Sequence, residues 1–178
     1  MFDFHLHTKV SFDSDAEPLE IVKSAEEKGL KEICFTDHFD YNSDKNGHHD
    51  LFTMEDYTKA YGKLISDKVK IRRGVELGLT TWNKKELDDF LSQGSFDYVI
   101  GSVHYVDGTD PYFKEFWDGI SFDKAIEKYM AETLKNECGC ERVEMESFKE
   151  NPGSFFGWIY ITFTLVLSAV ALFFICPI

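Results

Sequence analysis

The sequence predicts an α/β fold built on a parallel sheet or a (βα) barrel, and three observations predict it. Strand-like and helix-like stretches alternate over residues 1–136, the rhythm of parallel strands joined by crossover helices. Residue types able to hold a cation recur where those strands end: His5 and His7, Asp37 and His38, Glu76, and His104. In βα folds the C-terminal strand ends are where chemistry collects. Finally, a chain of 178 residues is the size of one domain with a real core.

The elements follow in order. "MFDFHLH" is a strand on which His5 and His7 emerge on one side while Phe2, Phe4 and Leu6 turn to packing on the other. "DAEPLEIVKSAEEKGL" is a helix with Asp15 as N-cap, Pro18 in its first turn and Gly29 as its stop. "KEICFTDH" is a second, buried strand. The polar stretch "FDYNSDKNGHHDLF" is too long for a mere connector. "TMEDYTKAYGKLISD" opens on Thr-x-x-Asp, which resembles a capping box and predicts a second helix. "VKIRRGVELGL" is the third strand, "NKKELDDFLSQG" the third helix and "FDYVIGSVH" the fourth strand. A loop, "YVDGTDPYFKEFWDG", leads to the fourth helix, "SFDKAIEKYMAETLKN", capped by Ser121.

Charge and cysteine usage narrow the function. With 32 acidic against 19 basic residues the net charge is -13, so no basic patch is at hand for a nucleic-acid backbone. Cys34, Cys138, Cys140 and Cys176 make no disulfide framework, and no secretory signal precedes His5; residues 1–136 read as cytoplasmic. The composition changes along the chain: residues 151–178 carry no charge, and "FFGWIYITFTLVLSAVALFFI" at 155–175 is long enough for a transmembrane helix. The reading is a polar linker at 137–154 and a C-terminal membrane anchor, or a segment foreign to a soluble fold.

The clustered strand ends predict a metal centre. Two neighbouring neutral imidazoles can share one cation, and a buried Glu76 needs a partner that a cation supplies. Taken together and in order, "HLHT", "SFDSD", "FTDH", "GVELG" and "GSVH" resemble the polymerase-and-histidinol-phosphatase (PHP) superfamily of metal-dependent phosphoesterases. "GSVHYVDGTDPYFKEFW" is most similar to its monofunctional histidinol-phosphate phosphatases. The resemblance implies a distorted (βα)7 barrel, up to three divalent metals, and hydrolysis of histidinol phosphate in histidine biosynthesis. It implies His5 and His7 on a first metal, Glu76 bridging to a second held by His104, and Asp13 and His38 reaching a third. Asp37 becomes an orienter of a ligand, and the nucleophile a metal-activated water with no separate catalytic residue. The mixed N and O donors suit Zn, Mn or Fe.

Beyond residue 136 the resemblance lapses. The family's Gly-His-x-Asp and Ser-Asp-x-His segments do not occur in this chain, which predicts an incomplete barrel from a truncated or frame-shifted product, poor in activity. The alternatives are a catalytically dead, membrane-tethered fragment or a PHP-type nuclease module. Lesser candidates are His48 and His49 on the long loop as substrate contacts, and the aromatics Tyr105, Tyr112, Phe113, Phe116 and Trp117, read first as loop packing. Arg72 and Arg73 are phosphate candidates of which one alone can face inward, and Cys138 with Cys140 forms a lone Cys-x-Cys pair.

Overall fold

A computed structural model describes residues 1–41, 47 and 49–138 together with the backbone of 174–175, the side chains of 137 and 138 excepted. In chain order the elements are β1 (Phe2–Leu6), α1 (Pro18–Glu27), β2 (Glu32–Phe35), β3 (His38–Phe39), α2 (Met54–Tyr61), β4 (Lys70–Gly78), α3 (Lys84–Leu91), β5 (Tyr98–Ser102), α4 (Lys114–Trp117), α5 (Phe122–Cys138) and β6 (Phe174–Ile175). The sheet runs β1-β2-β4-β5-β6, with β3 also paired to β4. Every pairing among β1 to β5 is parallel, and β6 lies antiparallel to β5. The predicted parallel α/β sheet is therefore present, and among the described residues its path is open.

The helices form much as their capping residues dictate, with three corrections. Thr53 caps α2 by accepting from the Asp56 N–H at 3.1 Å, as its Thr-x-x-Asp start predicts. The helix stops at Tyr61, short of the predicted residue 67. The cap of α1 is Glu17 rather than Asp15; its side chain makes no capping bond, and Pro18 stands in the first turn, where its missing N–H costs nothing. Gly29 ends that helix with φ of +68°, a conformation that a side chain would strain. The loop expected over 105–119 contains the short helix α4.

The two faces of the sheet differ. Ile33 and Phe35 of β2 and Val75 and Leu77 of β4 pack with Val22 and Ala25 of α1, Tyr57 and Tyr61 of α2, and Leu87 and Phe90 of α3. Strand alternation turns Cys34, Thr36, Gly74 and Glu76 to the other face. A Cβ on Gly74 would stand 2.9 Å from Cys34 Sγ and 3.1 Å from Thr36 Cγ2, so only a residue without one lets those side chains lie across it. Tyr98, the register partner of Gly74, shares this face and meets the Phe4 ring at 5.9 Å.

Here the expectation for β1 fails. The register slips between Asp3 and Leu6, and this bulge breaks the alternation. Leu6 packs against the core, whereas Phe2 and Phe4 remain 61% and 39% exposed. A second, smaller core joins Val103, Val106 and Phe116 to Ala125 and Tyr129 of α5. The segment 155–175 read as a membrane helix lies outside the described residues, except for Phe174 and Ile175, which form β6 opposite Ile100 and Gly101. Among the described residues no helix is long and apolar enough to cross a membrane.

Candidate metal centre

The side chain that organises the site is Glu76, near the C-terminal end of β4 and only 2% exposed. Parallel register sets its neighbours: His38 at the start of β3 pairs directly with it, and β5 ends two residues before His104. From the far side, β1 ends just before His7. Four imidazoles consequently converge on one carboxylate. Oε2 of Glu76 lies 3.1 Å from His7 Nε2, 3.5 Å from His38 Nδ1 and 3.6 Å from His5 Nε2, while Oε1 lies 3.2 Å from His104 Nε2. The His5, His7, His38 and His104 rings follow one another edge to face at centroid spacings of 4.6, 4.5 and 4.7 Å.

Asp13 stands at the other flank. It accepts from His7 Nδ1 at 2.8 Å and lies 3.5 Å from His38 Nε2. All six residues expected to hold metal, His5, His7, Asp13, His38, Glu76 and His104, are thus brought into one cluster. Asp37 is not among them in contact: its carboxylate accepts from the Thr8 N–H at 2.7 Å, from Thr8 Oγ1 at 3.2 Å and from the Tyr61 hydroxyl. It clamps the backbone immediately after His7 rather than touching a histidine ring. Burial raises its pKa, against those three donors.

The electrostatics are those of negative charge in need of a cation. Burial opposes ionisation of Glu76, yet His104 and His7 beside it hold its carboxyl well below the usual range. Asp13 is likewise held far down by His38 and His7 in spite of burial. Burial works against charge on His7, but Asp13 and Glu76 override it and lift the ring to about 9. Burial works against His104 too, and Asp40 and Glu76 lift it well above the ordinary value. His5 goes the other way, pushed down chiefly by burial.

The donors fit a metal on three counts. His7 Nε2, His38 Nδ1 and Glu76 Oε2 are buried and have no hydrogen-bond partner among the described residues, although such groups normally find one. Their mutual spacings of 3.1 and 3.5 Å to Glu76 match the edge of about 3.4 Å that a tetrahedral ion with ligands at about 2.1 Å imposes. And the donors fall into three groups whose ligand atoms lie within 4.8 Å of one another: His5, His7 and Glu76; His7, Asp13 and His38; His38, Asp40 and His104.

Sequence reasoning missed the supporting residues. Asp40 accepts from His104 Nδ1 at 2.8 Å; it lies two residues beyond His38, so strand spacing alone places both on one side. Thr36 Oγ1 lies 3.1 Å from His5 Nδ1, and Ser11 Oγ accepts from the His38 N–H at 2.9 Å; both sit inside quoted motifs, "FTDH" and "SFDSD", but neither residue type is itself a signal of a ligand's support. The lesser candidates stand apart. Arg72 is taken up by Glu32 and by Asp97 at 3.5 Å, and the Arg73 N–H also donates to Asp97, so Arg72 is no phosphate ligand here. His49 lies against the Tyr41 ring at a tilt, with centroids 4.7 Å apart, while His48 and Cys140, and the Cys138 side chain, lie outside the described residues. The aromatics largely pack the loop: Phe116 is buried and Trp117 donates to the Pro111 carbonyl at 2.8 Å. Tyr112 and Phe113 rest on each other at the surface.

Known proteins share this arrangement of sequence and fold. Residues 3–151 match the PHP domain, past the point where the quoted motifs end. The chain is 34% identical over 122 residues to a histidinol-phosphatase of Lactococcus lactis subsp. lactis (strain IL1403), covering 64% of this chain and 45% of that protein. It is 34% identical over 134 residues to a probable histidinol-phosphatase of Clostridium acetobutylicum, covering 75% and 51%. A crystal structure of histidinol phosphate phosphatase from Lactococcus lactis subsp. lactis Il1403, complexed with zinc, L-histidinol and phosphate, superimposes with a TM-score of 0.69 at 32% identity, over 75% of this chain and 52% of that one. The chain spans about half the length of the relatives it matches.

Proposed function

The chain belongs to the PHP domain family, and from that membership we propose that it carries the first part of a metal-dependent phosphomonoesterase acting on L-histidinol phosphate, giving L-histidinol and phosphate. The observation that carries the reading is the buried Glu76 ringed by four imidazoles, with His7 Nε2, His38 Nδ1 and Glu76 Oε2 lacking a hydrogen-bond partner among the described residues. The relatives named for histidinol phosphate support the substrate class. We further propose Zn, Mn or Fe as the metal, on the mixed imidazole and carboxylate donors, with up to three ions.

In this reading His5 and His7 would hold one cation, His104 a second, and Asp13 with His38 a third, with Glu76 serving the first two. Divalent ions there supply Lewis acidity toward the phosphate oxygens and toward an attacking water. The chain's own residues do the remainder. Glu76 stays ionised, because the imidazoles around it favour its charge. His7 and His104 yield their protons when a cation arrives. Asp37 holds Thr8, and with it the turn that aims His7. A distorted (βα)7 barrel fits the open parallel sheet, since closure would cover the face on which Phe4 and Tyr98 lie.

The family's further ligand segments, Gly-His-x-Asp and Ser-Asp-x-His, do not occur in this sequence, and losing several ligands removes an organised nucleophile. The 178-residue chain is therefore expected to release little phosphate from histidinol phosphate with added zinc or manganese. A fusion carrying the later half of a relative is expected to turn over, and His104→Ala in that fusion to abolish it. Turnover by the unmodified chain equal to the fusion would refute the incomplete-shell reading. An inert fusion, folded and metal-loaded, would refute the substrate assignment.

A further inference from the structure

Asp40 has no part in the reading above, yet it is one of the few buried acidic side chains in the described structure, at 3% exposed. Its backbone is fixed on both sides: Asp40 and Asp50 exchange N–H to carbonyl bonds of 2.8 and 2.9 Å. From that anchor its carboxylate reaches His104 Nδ1 at 2.8 Å. The opposite nitrogen, Nε2, then points at Glu76 Oε1, 3.2 Å away. Gly78 makes this approach sterically feasible. A Cβ there would lie 2.2 Å from Asp40 Oδ1 and 3.3 Å from His104 Nδ1, so any other residue would push the two apart. Asn83 in turn holds Gly78 by donating to its carbonyl at 2.8 Å.

We propose that Asp40, seated against Gly78, is a positioning residue that grips the His104 ring through Nδ1 and keeps Nε2 free for a cation shared with Glu76. The inference rests on the metal-centre reading and deepens it. A carboxylate behind a metal-binding imidazole fixes both tautomer and ring orientation and raises the basicity of the ligating nitrogen. The competing use of Asp40 is as a ligand itself, together with His38 and His104, whose donor atoms are also within reach. Geometry favours the positioning role. His38 Nδ1 stands 4.0 Å from Asp40 Oδ2, farther than the 3.5 Å that separates it from Glu76. If Nδ1 of His104 took the metal instead, its Nε2 would be turned away from the ion while facing the carboxylate on which the other imidazoles converge.

The test uses the full chain and zinc alone. Competition with a chromophoric chelator is expected to show Asp40→Ala binding zinc about ten- to hundredfold more weakly with the same number of ions bound. Asp40→Asn, which keeps an acceptor, should recover part of the loss. Gly78→Ala should weaken binding similarly in the parent and add little in the Asp40→Ala background, since both changes break one contact. Long-range ¹H–¹⁵N spectra of the zinc-loaded parent chain need no variant and should show His104 protonated at Nδ1 and coordinated at Nε2. Coordination at Nδ1, or loss of one whole zinc equivalent in Asp40→Ala, would overturn the proposal and make Asp40 a ligand. Parent-like affinity in Asp40→Ala, with His104→Ala weakened, would overturn it while leaving the metal centre standing. Parent-like affinity in His104→Ala as well would bring down the metal-centre reading and this inference together.

Discussion

Metal uptake by this chain is expected to release about two protons near neutral pH, a number that follows from the site's own charges. His7 is lifted to about 9 by Asp13 and Glu76, so at pH 7 it is about 99% protonated. His104 lies well above its ordinary value through Asp40 and Glu76 and is charged as well. His5 is pushed down by burial and contributes little. An imidazolium cannot ligate, so both protons must leave when a cation binds Glu76 and its neighbours. The apparent affinity should then weaken about hundredfold for each pH unit below 7, tenfold per proton. Calorimetric titration of zinc into the metal-free chain, in two buffers of different ionisation enthalpy, counts the protons directly. Chelator competition at several pH values between 6 and 8 gives the slope. A binding enthalpy indifferent to buffer, with affinity flat over that range, would refute the charge assignment at His7 and His104.

Three further outcomes are expected. The metal-free chain should lose stability as pH rises: with His7 raised from 6.5 to about 9, its contribution is whole below 6.5 and gone above about 9, a difference of about 3 kcal/mol at most. Urea midpoints at pH 6 and 9.5 measure it, and a rise with pH would contradict the sign. Tyr61→Phe removes one of the three donors to the buried Asp37 and should cost about 1–3 kcal/mol; an unchanged midpoint would mean Thr8 alone suffices. His5→Ala/His7→Ala should reduce the divalent metal found by elemental analysis of the purified chain, and equal metal content would remove these residues from the ligand set.

Much of the fold was legible because its signals are local. Alternating strand and helix stretches gave the parallel order of β1, β2, β4 and β5, and Thr53 and Ser121 marked helix starts by bonds their hydroxyls make within four residues. What failed depended on tertiary pairing. The bulge in β1 arises where two strands meet out of step, and nothing within "MFDFHLH" announces it. Its consequence is that Phe2 and Phe4, apolar and correctly spaced for packing, are left exposed. The helix expected to run to residue 67 stops at Tyr61 with Gly62 as its C-cap, and beyond it Ser66 accepts from the Val69 N–H and donates to Glu26, a partner 40 residues upstream.

The site divides along the same line. Residue type at a strand's end is visible in sequence, and on that basis all six expected donors meet. Which atom faces which is set by register, and register joins residues far apart in the chain: His38 to Glu76 across β3 and β4, and Asp40 to His104 across 64 positions. Asp37 and Asp40 illustrate the limit. Both are aspartates beside His38, both are buried, and by spacing alone the nearer one is the natural orienter. Yet Asp37 spends its acceptors on Thr8 and Tyr61, and it is Asp40 that reaches an imidazole. The difference comes from Tyr61 on α2, which gives Asp37 a donor on the helix side, and from Gly78 on β4, which leaves Asp40 room on the histidine side. Tyr61 belongs to none of the quoted motifs, and Gly78, which closes "GVELG", offers room rather than a donor. An orienting carboxylate is thus chosen less by its own place in the sequence than by which neighbour offers a donor and which offers space.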